Sequence, residues 1–288
     1  MTNLSTLAAG TMNWGTWGKN HSAQQMAGLM QACVENGITT FDHADIYGGY
    51  TTESQFGEAF SGSGLIRESL QFVTKCGIQY PCDSRNVPIK HYDYSESYIK
   101  WSVENSLKNL RTEYVDVLLL HRPSPLMQAD EIAEAVTRLK SEGKIVDFGL
   151  SNFTPCQTDL IRKKIDVSFN QIQFSLTHEE AMTNGALDHM QLHGIVPMAW
   201  NPLGSVFRDE TEQTTRLKEL LVILEEKYNA SADVILLAWI LKHPSGIIPV
   251  FGTADAGRIR NIAKAAEITL EKEDWFSLWV ESRGCKVP

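Results

Sequence analysis

The sequence has few cysteines, and none is spaced as a metal ligand or disulfide partner would be. There are five in 288 residues, they are widely scattered, and no Cys-x-x-Cys occurs, so neither a disulfide framework nor a zinc knuckle is indicated. No apolar run approaches the ~18–20 residues needed to cross a bilayer. The opening MTNLSTLAAGTMNWG lacks the basic start and long apolar stretch of a signal peptide. These absences predict a cytoplasmic protein that does not associate with a membrane.

Positive charge is also scarce. The formal net charge is −9 and the pI about 5.4, so no basic footprint favours nucleic acid as a partner. Its hydrophobic share of 43% and charged share of 21% are ordinary for a globular protein. The length allows one large α/β domain or two smaller ones. Because no break in composition and no low-complexity segment occurs, we expect residues 1–288 to form a single domain.

A glycine-rich phosphate turn is missing as well. A doubly wound open sheet would carry such a turn directly after its first strand. The nearest match, Gly62-Ser63-Gly64, follows a predicted helix and lacks the third glycine. The dinucleotide-binding open sheet is therefore disfavoured.

Eight short apolar runs recur along the chain, separated by longer helical patterns. Several are nearly continuous apolar stretches, as expected for parallel strands covered on both faces. The runs are LAAGTMNWG (7–15), ITTFDHA (38–44), LQFVTKC (70–76), VDVLLLH (115–121), IVDFGLS (145–151), SFNQIQF (168–174), GIVPMAW (194–200) and GIIPVFG (246–252).

The helical patterns between these runs have recognisable ends. Ser22 with Gln25 predicts a capping box, and Thr154 before Pro155 predicts a helix start with proline in its first turn. Eightfold alternation of strand and helix over about 250 residues is typical of a (β/α)8 TIM barrel. We therefore predict a single α/β barrel with a long loop over 201–213 and a helical C-terminal tail over 253–288.

Chemistry in a TIM barrel collects at the carboxyl ends of the strands. The first half of this chain offers a carboxylate, a phenol, an ammonium group and an imidazole there, and the second half offers amides, a hydroxyl and an indole. A phenol with a reference pKa of ~10 becomes a better acid beside an ammonium group, which a carboxylate can hold in place. Such a set suits hydride transfer to a carbonyl. In chain order these residues are Asp42, Tyr47, Lys75, His121, Ser151, Asn152, Asn170, Gln173, Trp200, Asn201, Gly252 and Thr253.

Five motifs then show a resemblance. FDHADIYG, FVTKCG, LLLHRPSP, FGLSNF and NQIQFS are similar, in order and separation, to the successive motifs of the aldo-keto reductase superfamily. The bacterial oxidoreductase branch, near the potassium-channel β-subunit-like reductases, is the most similar. The resemblance runs from about Leu7 to Ile268 and implies a monomer that reduces small carbonyl compounds with NADPH. It places the family's catalytic tetrad on Asp42, Tyr47, Lys75 and His121, with Tyr47 as the general acid.

The resemblance also implies the cofactor residues. Ser151, Asn152 and Gln173 would meet the nicotinamide carboxamide, and Trp200 would stack on its ring. The segment 201–207, which includes Asn201 and Leu203, resembles the loop that covers the pyrophosphate, followed by Gly252 and Thr253 at the last strand.

Two positions depart from the family pattern. His43 stands where threonine is frequent, and its role is open. Near the C-terminus the family's Arg-x-x-Glu-Asn is only partly kept, since Arg258 is followed by Asn261 and Ile262. Arg258 suits a 2′-phosphate because a guanidinium binds phosphate in a fork, so NADPH is expected rather than NADH.

Other interpretations stay open. The protein could be an NADPH-binding regulator or scaffold with little turnover. His43, Asp45 and His121 could instead form the metal site of a barrel hydrolase, but lysine and amides are poor ligands, so no metal is expected. His189 and His193 stand four residues apart on what we take as an ordinary surface helix. We also expect an aromatic-lined substrate pocket, formed by Trp14, Trp17, Tyr80, Tyr92 and Phe207.

Overall fold

The computed structural model describes residues 1–287, and within them eight parallel strands close into a barrel. Each strand pairs with the next barrel strand along the chain, and the last pairs with the first, Ala8 lying opposite both Thr40 and Val250. The predicted (β/α)8 fold is confirmed. The barrel strands are β1 (Ala8–Gly10), β2 (Thr40–Asp42), β3 (Gln71–Cys76), β6 (Val115–Leu120), β7 (Ile145–Ser151), β8 (Phe169–Gln173), β9 (Val196–Trp200) and β10 (Ile248–Phe251).

Two further strands form a small antiparallel hairpin outside the barrel. They are β4 (Ile78–Gln79) and β5 (His91–Tyr92). The hairpin lies in the connection after β3. Because the two strands are two residues long, they carry no alternation that a sequence pattern could detect.

Helices surround the barrel, and none within residues 1–287 is long and apolar enough to cross a membrane. The predicted capping box at Ser22 and the predicted helix start at Thr154 are both present, and Thr154 also forms a capping box with Gln157. The helices are α1 (Ala23–Glu35), α2 (Tyr47–Tyr50), α3 (Thr52–Ser63), α4 (Glu96–Leu110), α5 (Ala129–Ser141), α6 (Pro155–Arg162), α7 (Ala186–Leu192), α8 (Glu212–Tyr228), α9 (Ala232–Leu241), α10 (Ala256–Ile262) and α11 (Lys272–Arg283).

The apolar runs of the strands serve two cores. Val117 and Leu119 of β6 lie in the cluster that fills the barrel, while Leu118 and Leu120 pack outward in the larger cluster with the helices. Both faces are buried, which explains why VDVLLL shows no alternation.

The strands are shorter than the apolar runs, most clearly at the first one. Only Ala8–Gly10 of the predicted 7–15 forms a strand. The chain then turns, with Trp14 N–H donating to Thr11 O at 2.9 Å. After Gly10, Trp14 is buried by packing rather than by sheet pairing, while Met12 is 41% exposed. An apolar run in the sequence does not distinguish these outcomes from a strand.

Candidate active site

The four residues expected to form the tetrad converge at the carboxyl ends of β2, β3 and β6. Lys75 Nζ donates to Asp42 Oδ1 at 2.8 Å and Oδ2 at 2.7 Å, and it lies 3.2 Å from the Tyr47 hydroxyl. The Tyr47 and His121 rings meet edge to face, with centroids 6.1 Å apart. The carboxylate, ammonium, phenol and imidazole therefore form one connected cluster.

The chain after β2 has to turn sharply to bring Tyr47 to the lysine. Asp45 N–H donates to Lys75 O at 3.0 Å, which fixes the loop against β3. Gly48 and Gly49 then adopt φ of 62° and 66°, a left-handed conformation that glycine takes at little cost. A Cβ on Gly48 would lie 2.5 Å from Thr52 Oγ1. The glycine pair is thus required for the turn into α3.

Burial and the neighbouring charges together set the protonation of the lysine and the phenol. Burial lowers the pKa of Lys75, but Asp42 and Tyr47 raise it by a larger amount. The net pKa is therefore raised, and the ammonium stays charged. Burial raises the pKa of Tyr47, and Lys75 lowers it by less, so the net pKa is also raised. The expected lowering by Lys75 is therefore present but outweighed. The phenol therefore keeps its proton at neutral pH.

His121 is a neutral imidazole. Burial, Lys75 and Arg122 together hold its pKa well below the ordinary value. Its Nδ1 is buried without a hydrogen-bond partner. An uncharged ring beside the phenol can form a hydrogen bond without adding charge to the site.

Gln171 is a member of this cluster that sequence reasoning missed. Its Nε2 donates to Asp42 Oδ1 at 2.8 Å, and its side chain is buried. Its backbone oxygen accepts from Ser151 Oγ at 3.0 Å and from Asn152 N–H at 2.9 Å. Gln171 therefore joins the tetrad to the amide-rich half of the barrel mouth. Gln173, which was expected there, lies two residues further along the same face, opposite Trp200 of β9, and within residues 1–287 its side chain has no hydrogen bond to this set.

The serine, asparagine and tryptophan of the second half form a hydrogen-bonded chain. Asn152 Nδ2 donates to Ser151 Oγ at 2.8 Å, and Asn152 Oδ1 accepts from Trp200 Nε1 at 2.9 Å. Asn152 has a φ of 61°, which turns its amide back over the strand end. These contacts join β7 to β9 and hold the indole at the barrel mouth, half-exposed.

The remaining expected cofactor residues lie along one edge of the mouth. Asn201 Oδ1 accepts from Arg208 at 3.2 Å, and Leu203 is half-buried in the same loop. Gly252 O and Thr253 O accept from the side chains of Asn13 and Trp14. These contacts hold the two segments in place.

Arg258 follows on α10. Its backbone N–H donates to the capping Asp255 at 2.8 Å, and its side chain is exposed. No ion-pair partner for its guanidinium occurs among residues 1–287.

His43 now has a structural explanation. Its Nδ1 lies 2.9 Å from Thr11 Oγ1, and its ring packs edge to face on Phe56 with centroids 4.2 Å apart. Its carbonyl accepts from Lys75 Nζ at 2.8 Å. The backbone of this position orients the Lys75 ammonium, while the imidazole faces an aromatic core. It does not converge with Asp45 and His121 on a metal site.

Asp45 faces away from the tetrad, towards α4. Its Oδ2 accepts from Ser102 at 3.0 Å and from the Tyr98 hydroxyl at 3.3 Å, which in turn accepts from Arg85 at 3.0 Å. The Arg85 guanidinium lies 3.4 Å from the centre of the Tyr50 ring. This chain of contacts ties the loop after β3 to the segment that carries Tyr47.

The Asp45 carboxyl makes stability depend on pH. Burial and the neighbouring Glu53 raise its pKa to about 7, so the folded state binds a proton that the unfolded state releases above pH ~4. Its contribution is present at low pH and is lost as pH rises towards 7. We expect Asp45→Asn to become more stable relative to wild type between pH 5 and pH 8, as measured by urea unfolding.

Asp147 provides the opposite control. Burial raises the pKa of Asp147, but hydrogen bonds from Thr2 and Ser168 lower it by a larger amount, so the net pKa is lowered. Asp147→Asn should therefore lose stability relative to wild type over a lower pH range, as Asp147 ionises. An Asp45→Asn difference that stays constant with pH would contradict the raised pKa.

Part of the expected aromatic pocket is present beside the tetrad. The Trp17 ring lies 6.3 Å from the Tyr47 ring and 5.9 Å from the Tyr80 ring, and both Trp17 and Tyr80 are exposed. Trp14 does not line this space, because it is fully buried against Phe41 and Phe56. The expectation for Trp14 was wrong because burial by α3 is a tertiary effect.

Known proteins resemble this chain over nearly its whole length. The model of the Aldo/keto reductase family matches residues 6–278. The chain is 40% identical to the Bacillus subtilis protein described as uncharacterized oxidoreductase YcsN, over 93% of this chain and 92% of that protein. It is 38% identical to a 6-dehydroglucose reductase of Agrobacterium fabrum, over 90% and 88%.

A solved structure is similar over the whole barrel. The aldo/keto reductase of Klebsiella pneumoniae in complex with NADP and acetate superposes with a TM-score of 0.79 at 25% identity, over 96% of this chain and 90% of that one. The chain belongs to the aldo/keto reductase family. It is an oxidoreductase of that family with a (β/α)8 barrel.

Proposed function

We propose that this protein reduces aldehydes or ketones to alcohols with NADPH, using Tyr47 as the general acid. The observation that carries the proposal is the position of the Lys75 ammonium, 3.2 Å from the Tyr47 hydroxyl and held by both oxygens of Asp42. A fixed cation beside a protonated phenol lowers the cost of phenolate formation in the transition state.

The side chains divide the work at a substrate carbonyl. The His121 imidazole and the Tyr47 hydroxyl meet at the barrel mouth and would bind the carbonyl oxygen between them. Tyr47 gives its proton to that oxygen as negative charge develops there, and Lys75 stabilises the phenolate left behind. Asp42 and the His43 carbonyl keep the ammonium aimed at the phenol. The cofactor, when bound, supplies the hydride.

The second half of the mouth fits a nicotinamide dinucleotide. Ser151, Asn152 and Gln171 place a hydroxyl and two amides beside the tetrad, which suits a carboxamide. The half-exposed face of Trp200 suits a planar ring. The loop at 201–208 and the exposed Arg258 continue along the same edge, as an extended ligand with a phosphate at its far end requires. Gln173 stays a candidate at the carboxamide, although Gln171 has the contacts.

NADPH oxidation with a panel of carbonyl compounds tests this function. The panel should contain aliphatic and aromatic aldehydes, ketones and oxidised sugars, because one relative is described as a 6-dehydroglucose reductase. NADPH binding should be titrated in parallel by protein fluorescence. Turnover of at least one carbonyl supports a reductase, whereas tight binding without turnover of any would favour the regulatory alternative. We further propose a single-domain, monomeric and cytoplasmic protein.

Arg258→Ala is expected to weaken NADPH binding and leave NADH binding nearly unchanged. The Arg258 side chain is exposed on α10 and has no carboxylate partner among residues 1–287, so a 2′-phosphate would be its main partner. Loss of a charge-assisted phosphate contact costs about 1.5–3 kcal/mol, or roughly 10- to 150-fold in Kd. Dissociation constants for both cofactors measure the effect. Arg260→Ala on the same helix is the control, and equal losses for both cofactors would contradict the assignment.

A further inference from the structure

A second group of ligand-type side chains lies on the outside of the barrel, between α6 and α7. His189 Nε2 lies 2.8 Å from Asp159 Oδ1, and His193 Nε2 lies 3.9 Å from the same oxygen. One ligand atom from each of the three residues lies within 4.8 Å of the others. Two imidazoles and a carboxylate from two different helices therefore converge on one point.

We propose that Asp159, His189 and His193 form a binding site for a divalent transition-metal ion such as Zn²⁺. Imidazole nitrogen with one carboxylate oxygen is a donor set that suits zinc and its neighbours, and does not suit Mg²⁺ or Ca²⁺. The site has no part in the proposed carbonyl reduction, which uses none of these residues.

The distances fit a small ion. With bonds of about 2.1 Å, the ligand atoms of a tetrahedral zinc site lie about 3.4 Å apart. The two separations from Asp159 Oδ1, 2.8 Å and 3.9 Å, lie on either side of that value. Metal binding would replace the hydrogen bond between His189 and Asp159, and small side-chain rotations would equalise the two separations.

The local structure holds the donors in place. His189 and His193 stand one helical turn apart at the end of α7, and their ring centroids are 4.5 Å apart. The histidine side chains are only 12% and 29% exposed, and that of Asp159 is 48% exposed. The imidazoles are thus partly ordered by packing, while the carboxylate leaves the site open to solvent.

The main competitor for Asp159 is weak. Arg162 Nη1 lies 3.4 Å from Asp159 Oδ1, at the outer limit of a hydrogen bond. A carboxylate has a second oxygen that can keep such a contact while the first binds a metal. Arg162 therefore does not close the site.

The position in the fold indicates what the ion would do. His193 stands three residues before the start of β9, so it lies near the amino ends of the strands. The tetrad lies at their carboxyl ends, and residues at the amino ends of a TIM barrel serve stability rather than catalysis. An ion here would join two adjacent outer helices and stabilise the folded state.

Zn²⁺ titration of the tag-free full-length protein tests the proposal. We expect saturable 1:1 binding by calorimetry, and a rise in Tm of about 5 °C at a hundredfold excess over Kd. Mg²⁺ should produce neither effect. His189→Gln/His193→Gln should weaken Zn²⁺ binding by at least about 100-fold and abolish the rise in Tm.

Two control variants keep the result specific. Asp188→Asn removes a carboxylate from the same helix, and Cys156→Ser removes an exposed thiol on α6; both should bind Zn²⁺ as the wild type does. The proposal is overturned if the wild type shows no saturable binding, or if binding survives in the double histidine variant. In either case the three side chains serve only as a hydrogen-bonded tie between the two helices.

Discussion

Tyr47→Phe is expected to lower kcat for carbonyl reduction by about 10²- to 10⁴-fold, the usual contribution of a general acid. The phenol is the group that lies within hydrogen-bond reach of the Lys75 ammonium and next to the His121 ring. Removal of its hydroxyl leaves no positioned proton donor for the developing alkoxide. Steady-state kinetics with the best carbonyl substrate, over pH 5–9, measure the loss.

The controls for Tyr47→Phe separate chemistry from binding. The dissociation constant for NADPH should stay close to that of the wild type, because the ring remains in place. Tyr114→Phe changes a tyrosine that packs on Arg67 at the start of β6 and should leave kcat unchanged. If Tyr47→Phe kept most of the wild-type kcat, another group would have to deliver the proton.

Lys75→Met is expected to damage both activity and stability. The ammonium and the Asp42 carboxylate are almost completely buried, with exposures of 1% and 3%. Loss of the cation leaves an uncompensated carboxylate in the barrel, which costs about 3–5 kcal/mol in the free energy of unfolding. The phenol also loses the charge that favours its ionisation, so we expect kcat to fall by at least about 10²-fold.

A double variant separates the two effects of Lys75. In Asp42→Asn/Lys75→Met the buried charge is removed together with its partner, and the asparagine oxygen can still accept from Gln171. Most of the lost stability should return in urea unfolding, while kcat should stay low. Full stability of the single variant would contradict a buried ion pair, and recovery of kcat in the double variant would contradict the role given to the lysine.

The tetrad could be predicted from the sequence because a barrel converts sequence order into spatial neighbourhood. Asp42 and Lys75 lie at the carboxyl ends of β2 and β3, His121 directly follows β6, and consecutive strands pair in the sheet. Their side chains must therefore meet at one rim. The position of Tyr47 could be predicted only with the glycine pair at 48 and 49, which indicates a tight turn directly after it.

Contacts across the barrel could not be predicted in this way. Gln171 reaches Asp42 over a sequence separation of 129 residues, and which residue of NQIQF faces inward depends on where β8 begins. Gln171 and Gln173 lie on the same face of β8 because side chains along a strand alternate with a period of two. The alternation alone therefore does not say which of the two amides reaches Asp42.

The group of Asp159, His189 and His193 outside the barrel could not be predicted from the sequence either. The spacing of His189 and His193 is visible in the sequence, and it is compatible with an ordinary surface helix. Asp159 belongs to another helix, 30 residues earlier, and only the packing of α6 against α7 adds a third donor. Trp14 is the converse case, since its sequence context fits a pocket while its burial depends on Phe41 and Phe56.

The most direct test of the account follows the hydride. NADPH labelled with deuterium at C4 of the nicotinamide, in each of the two stereochemical forms, is supplied with the best carbonyl substrate, and the product alcohol is analysed by mass spectrometry and NMR. One of the two labelled forms should place deuterium on the carbinol carbon. The tetrad and Trp200 lie on opposite sides of one rim, so a nicotinamide stacked on Trp200 would turn only one of its faces towards a carbonyl at the tetrad. Product alcohol that carries deuterium from neither form would contradict direct transfer at this site.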